Sequence, residues 1–185
     1  MNGQISQKTS SGLFPLSISN VAVRYFLLFI IGAFAMVVHA RLRLHLGIPG
    51  HQGFLYMAML VGSSLTLNNR FSGLVFATGS SAVLAFGVLG FANPFIFVEY
   101  LFVGIVADLL LNIFKTNNKV LFVFLIGALG YGMIPIIRLV VTSLTGFPFG
   151  SFIKHGFILT FASHILFGMA GAFTGFGISK MFAKK

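Results

Sequence analysis

The sequence predicts an all-α, polytopic integral membrane protein of about six transmembrane helices packed in one compact bundle, and three observations carry that prediction. Hydrophobic residues make up 57 % of the 185 positions and charged residues only 8 %, against the ~25 % charged residues of an average soluble domain. Mean hydropathy is +1.01, and a water-soluble fold of this size could not cover itself with so few charges. The apolar residues are grouped into successive stretches separated by short polar breaks, most of them long enough for a hydrocarbon core of ~30 Å at about 1.5 Å per helical residue.

Residues 1–20 are rich in Ser, Gly, Asn and Gln and carry one charge, Lys8, which predicts a polar tail ahead of a single membrane domain over 21–185. Val21 to Ala40 is apolar throughout and forms the first span. A cleaved signal peptide is the competing reading, with Tyr25 to Val38 as its apolar centre and Val38-His39-Ala40 as a small-x-small site. The long preceding stretch and the five apolar stretches that follow favour a span. Gly53 to Leu67 is short, and reads as a second span or a re-entrant piece. Phe71 to Phe91 is the third stretch and ends at Asn93-Pro94. Phe95 to Phe114 is the fourth, closed by Lys115-Thr116-Asn117-Asn118-Lys119. Val120 to Leu144 is the fifth, with Pro135 expected to kink it. The turn-rich Thr145 to Gly150 leads into the sixth, Phe152 to Phe182.

The net charge of +10 comes from twelve Lys and Arg dispersed between apolar runs. That pattern predicts helix-end anchors facing lipid headgroups and no nucleic-acid partner. With the N-terminus inside, Lys8, Arg24, Arg70, Lys115, Lys119, Lys180, Lys184 and Lys185 fall on the inner surface, and Arg41, Arg43 and Lys154 on the outer one. This bias predicts that both termini are cytoplasmic. Arg41, Arg43, His45 and His51 stand against it in the first outer loop, around Pro49, and a placement that resists the bias points to a gating role or to a headgroup contact.

Ionisable residues inside spans are costly and tend to face a cavity or a partner. Glu99, Asp108, Arg138 and His164 are the four candidates. Glu99 and Arg138 lie about 6 and 9 Å below the outer ends of their spans, close enough to pair if the helices are neighbours. Asp108 and His164 lie deeper, at roughly 18 to 20 Å, and form a second candidate intramembrane pair. Gln52, Tyr56, Met59, Ser63 and Thr66 recur at helical spacing and predict a hydrogen-bonding side on the second span. Convergence of such faces implies either a cavity opening outward or a set of interhelical hydrogen bonds. Gly32, Ala33 and Ala35 on the first span, Ala58-x-x-x-Gly62, Ala128-x-x-x-Gly132, Gly168-x-x-x-Ala172 and Gly171-x-x-x-Gly175 mark close helix approach, inside the bundle or toward a partner.

Much chemistry is excluded. There is no cysteine, and Glu99 and Asp108 are the only acids, so thiolate sites, calcium loops and carboxylate-rich metal centres are ruled out. No P-loop lysine motif and no nucleophile elbow occurs. His45 and His51 flank a Gly47-Ile48-Pro49-Gly50 turn, but no carboxylate supports a metal there. No enzyme, cofactor or metal is predicted.

Six short-looped spans, a small basic chain, cytoplasmic ends and the outer loop Gly47-Ile48-Pro49-Gly50-His51-Gln52-Gly53 resemble, over residues 21–182, the substrate-binding S components of energy-coupling factor (ECF) transporters. The resemblance implies high-affinity binding of a small polar, vitamin-like micronutrient at a bacterial cytoplasmic membrane. It further implies a transmembrane scaffold subunit and cytoplasmic ATPases that drive uptake. By region it implicates His51, Gln52, Glu99, Arg138 and His164, with Tyr56 adding a neutral hydrogen bond, and with the loop bearing Arg41, Arg43, His45 and Pro49 as the gate. In place of the family's alanine-x-x-x-alanine scaffold contact the first span offers Gly32, Ala33 and Ala35. Arg138 and the loop arginines are expected to hold a ligand carboxylate or phosphate, with Glu99 orienting Arg138. A small ion- or proton-coupled carrier or channel, relaying protons through Asp108 and His164, is the alternative.

Overall fold

A computed structural model describes residues 20–42, 47–87, 89–91, 93–113 and 119–183. The polar tail up to residue 19, and Arg43 and His45 of the expected gate, lie outside the described residues. The chain folds into α1 (Val21–Arg41), α2 (Gly53–Leu67), α3 (Ser72–Ala85), α4 (Ile96–Ile113), α5 (Lys119–Leu125), a π-helical turn (Ile126–Gly130), α6 (Tyr131–Thr145) and α7 (Gly150–Ala183). It is all-helical, as the composition demands, because only internally bonded backbone is tolerated among so many apolar side chains.

Local chemistry sets the boundaries. Asn20 caps α1 by accepting from the Ala22 amide at 2.9 Å. Asn68 ends α2 in a left-handed conformation, its amide donating back to the Ser64 carbonyl. The third apolar stretch does not remain helical to Phe91. Helix α3 stops at Ala85, and Gly87 and Gly90 turn the chain with φ of 66° and 65°. The departure expected at Pro135 lies one turn earlier, in the π turn. Pro135 has no N–H for the Tyr131 carbonyl, and a widened turn beside it is a usual adjustment. Helix α7 carries a break of its own at Gly156, where φ is 72° and ψ 170°.

Three helical stretches are long and apolar enough to cross a membrane: Val21–Arg41, Val120–Thr145 and Gly150–Phe182. Helices α2 and α3 are equally apolar but have 15 and 14 residues, about 21 to 23 Å, and fall short of a ~30 Å core. The structure is consistent with a membrane protein.

Neighbouring helices close a ring in the order α1, α3, α4, α6, α7, α2 and back to α1. Its centre is filled by Tyr56, Met57, Phe76, Tyr100, Val103 and Tyr131. Small residues let the backbones meet. A Cβ on Gly32 would collide with the Phe76 carbonyl, and one on Gly79 with the Phe29 carbonyl, which locks α1 to α3. Gly171 and Gly175 press on Phe54 and Ala58 of α2, while Gly168 meets Gly127 of the π turn. The expectation of Gly32 and Ala35 as a partner-docking face is therefore corrected. Both are buried, and Gly32 is used inside the bundle, where its carbonyl also accepts from Ser80 Oγ at 2.9 Å. Of the three, only Ala33 is partly exposed.

Candidate functional site at the loop end of the bundle

Antiparallel packing brings the C-terminal ends of α1, α3 and α6 together with the N-terminal ends of α2, α4 and α7, and the buried polar groups gather at that end. Glu99, in the first turn of α4 and 0 % exposed, receives Arg138 Nε at 3.0 Å and Nη2 at 2.8 Å. Asn93 Nδ2 adds a third donor at 2.6 Å. A carboxylate in the first turn also gains from the exposed N–H groups of the helix start. Arg138 is itself 18 % exposed, reaches Ser151 Oγ at 3.5 Å with Nη1, and lies 5.5 Å from the centre of the Phe149 ring. The fork is thus turned onto Glu99, the pairing expected from their equal depth, and the two charges cancel internally.

Beside this pair stands an aromatic group that carries hydroxyls and imidazoles. Tyr100 Oη lies 3.3 Å from His39 Nε2, and the ring of Tyr56 meets Tyr100 edge-on at 4.6 Å. Tyr131 stacks on His164 with centroids 5.1 Å apart and planes 20° apart. His164 Nδ1 lies 2.6 Å from the Thr160 carbonyl. A carbonyl only accepts, so the proton resides on Nδ1 and Nε2 is left as an acceptor. The turn before α2 closes over this ring. Gly50 adopts φ of 78°, and a Cβ there would stand 2.7 Å from His164 Nδ1. Gly53 presses on the opposite partner, Tyr131. His51 is held by Nδ1 at 2.6 Å from the Ile48 carbonyl and faces the Phe167 ring edge-on at 6.5 Å.

Two buried polar atoms in this region make no well-formed hydrogen bond, His51 Nε2 and Tyr56 Oη, the latter with only a weak contact to the Ser80 hydroxyl. Such atoms are rare in folded proteins and cost stability unless something satisfies them. Chemically, the region can accept a hydrogen bond at His51 Nε2 and exchange one at Tyr56, between aromatic faces, with the Arg138 and Glu99 charges cancelling.

Of the sequence-derived residues, His51, Tyr56, Glu99, Arg138 and His164 lie at this end. Gln52 sits half-buried in the same turn as Pro49. Arg41 is corrected from loop to helix, as the exposed last residue of α1. Pro49 lines a shallow cleft of about 280 Å³ with Gly150, Ser151, Lys154 and His155.

The Asp108 and His164 pair does not form. Asp108 sits at the opposite end, where its two oxygens accept from the amides of Gly73 at 2.8 Å and Leu74 at 2.7 Å and cap α3. Asn112 bonds the Arg70 carbonyl beside it. The polar side expected along α2 also divides. Tyr56 points inward, whereas Met59, Ser63 and Thr66 line an apolar groove between α1, α2 and α7. The two hydroxyls there bond back to the Met59 and Gly62 carbonyls of their own helix.

His39, Tyr100 and Asn93 belong to the region without having been singled out. One signal was available. Against 24 Phe the chain has four Tyr, and three of those, Tyr56, Tyr100 and Tyr131, converge here. No family model, no curated protein and no solved structure matches this chain, and the site rests on its own geometry.

Proposed function

We propose that this chain is the membrane-embedded substrate-binding subunit of an uptake system of the ECF kind. It captures a small polar, vitamin-like solute at the loop end of the bundle and relies on a transmembrane scaffold and cytoplasmic ATPases for energy. In that reading the protein lies in a bacterial cytoplasmic membrane with both termini cytoplasmic, and the turn of residues 47–52 covers the solute from outside. The observation that carries it is the pair of buried polar atoms left without a well-formed hydrogen bond, His51 Nε2 and Tyr56 Oη, beneath a turn seated on His164. Because Arg138 and Glu99 neutralise one another, the solute is uncharged or zwitterionic and presents an N–H or O–H to His51. A proton-coupled carrier needs Asp108 within reach of His164, and each bonds elsewhere.

Native mass spectrometry of the protein purified from its host tests the reading. A retained small molecule and copurifying ATPase subunits are expected. His164→Ala should abolish retention, whereas Lys180→Ala, exposed at the far end of α7, should leave it intact. An empty protein with no copurifying ATPase, or equal effects of the two substitutions, would sink it.

A further inference from the structure

The donors and acceptors left over at the loop end define the chemistry of what fits there. His51 gives its Nδ1 proton to the Ile48 carbonyl at 2.6 Å. A carbonyl only accepts, so Nε2 remains as an acceptor, and that atom is buried and unused. Arg138 supplies the donor. Its Nε and Nη2 are turned onto Glu99, whereas Nη1 makes only a long approach of 3.5 Å to Ser151 Oγ. One cleft, of about 280 Å³, brings the two together between the turn of residues 47–49 and the start of α7. Ile48, whose carbonyl fixes His51, forms one wall, and Ser151, which Arg138 reaches, forms the other.

We infer that the solute captured here is an uncharged molecule with an amide-type group, whose C=O is taken by Arg138 Nη1 and Ser151 Oγ and whose N–H is given to His51 Nε2. The inference rests on the proposed capture of a small solute and names its chemical class. Ions are disfavoured on both signs. Glu99 and Asp108 are the only acids of the chain and both are fully bonded, so no carboxylate is left for a cation. The Arg138 charge is cancelled, and Lys154, on the same cleft, is exposed to water, where its pull on an anion is screened. A neutral group that carries an acceptor beside a donor satisfies both ends, and leaving either end unmatched forfeits a hydrogen bond that water would have made. Phe149 beside Arg138 and Phe167 beside His51 give that group apolar flanks, which suit a flat, conjugated amide.

Uracil, 1,3-dimethyluracil and benzoate are the probes, because they carry N–H with C=O, C=O alone, and a carboxylate on similar flat rings. Binding to the full chain in detergent is followed at millimolar probe concentration by ligand-observed NMR. Uracil is expected to bind about five-fold more tightly than either of the others, the effect of one hydrogen bond. His51→Phe should erase the preference for uracil over 1,3-dimethyluracil. Ser151→Ala should weaken both alike, by about five-fold, and Lys154→Ala should change neither. If His51→Phe folds poorly, the three probes on the unaltered protein still decide. Benzoate or 1,3-dimethyluracil binding as tightly as uracil, a weakened Lys154→Ala, or no binding of uracil would overturn the amide assignment. A molecule retained from the host that carries a carboxylate and no amide would overturn it too, while leaving the capture reading intact. Discrimination among the probes by a protein that retains nothing from its host and brings down no ATPase would count against the uptake reading alone.

Discussion

Glu99 and Asp108 lie on one helix and are both buried, yet they end in opposite circumstances. Asp108 is fully used by backbone: two amides of α3 point at its two oxygens, and the buried atoms left unpartnered at that end, Asn69 Nδ2 and Ser64 Oγ, belong to the turn and helix before α3 and not to the Asp108 cluster. Glu99 is used by side chains, from Arg138 on α6 and Asn93 ahead of α4, and the ring region next to it contains atoms that make no well-formed hydrogen bond. A carboxylate tied to a helix start fixes where that helix begins. One tied to a guanidinium on another helix holds two elements together at an end where a turn folds over aromatic rings. The first arrangement is what a static joint requires, and the second leaves side chains able to rearrange around a guest.

The largest effect separating the two is expected from Glu99→Gln. It leaves the Arg138 charge facing an amide, and removing one partner of a buried pair costs about 3 kcal/mol, toward the low end because Arg138 is partly exposed. The double substitution Glu99→Gln with Arg138→Gln should recover most of that loss. Thermal unfolding of the detergent-solubilised protein measures both, and a double variant no better than the single would mean that the pair is not the source. Next comes Asp108→Ala, which strands the Gly73 and Leu74 amides at a cost of about 2 kcal/mol. Asp108→Asn keeps one acceptor and should lose about half as much. Solute retention by the folded fraction is expected to be untouched in both. If Asp108→Asn retained its stability but lost the solute, the division between joint and site would collapse.

The difference between the two ends also explains what could be read before any coordinates. The all-helical bundle was legible because apolar content and break residues act locally: Asn68 and Gly146 each stop a helix where they stand, and Asn93-Pro94 leads into the next one. Glu99 and Arg138 were legible as partners because equal depth on neighbouring helices is a one-dimensional argument. Asp108 and His164 failed under the same argument, since depth says nothing of which backbone amides lie nearby, and the start of α3 reached Asp108 first. The end of α3 was misjudged because Phe86 and Phe91 keep the stretch apolar, while Gly87 and Gly90 turn the chain. Gly32 was ambiguous for a different reason. A small residue signals close approach, but only the location of the Phe76 carbonyl says that the approach is internal.

A smaller effect isolates the turn over His164. Gly50 and Gly47 both have positive φ, 78° and 63°, but a Cβ on Gly47 meets nothing within 4 Å, whereas one on Gly50 meets the imidazole. Alanine at either position carries the left-handed backbone cost of about 1 kcal/mol. Only Gly50→Ala should also lift the turn from His164, seen as weaker solute retention and faster hydrogen exchange at the amides of residues 50–53. Equal exchange in the two variants would detach the turn from the site.

The smallest change in stability is expected from Tyr56→Phe. The hydroxyl is fully buried and makes no well-formed hydrogen bond, with the Ser80 hydroxyl near it as a weak contact, so its removal takes away little and leaves nothing stranded, Ser80 Oγ being bonded to the Gly32 carbonyl. The substitution should therefore be neutral to within about 0.5 kcal/mol, or slightly stabilising. Its effect on a solute bound beside Tyr100 and Tyr131 is another matter. One neutral hydrogen bond lost there weakens binding by about five-fold, measurable as earlier release of the retained molecule on dilution. A clearly destabilised Tyr56→Phe would show that the hydroxyl already has a partner in the resting protein, and the loop end would then be as closed a joint as the one around Asp108.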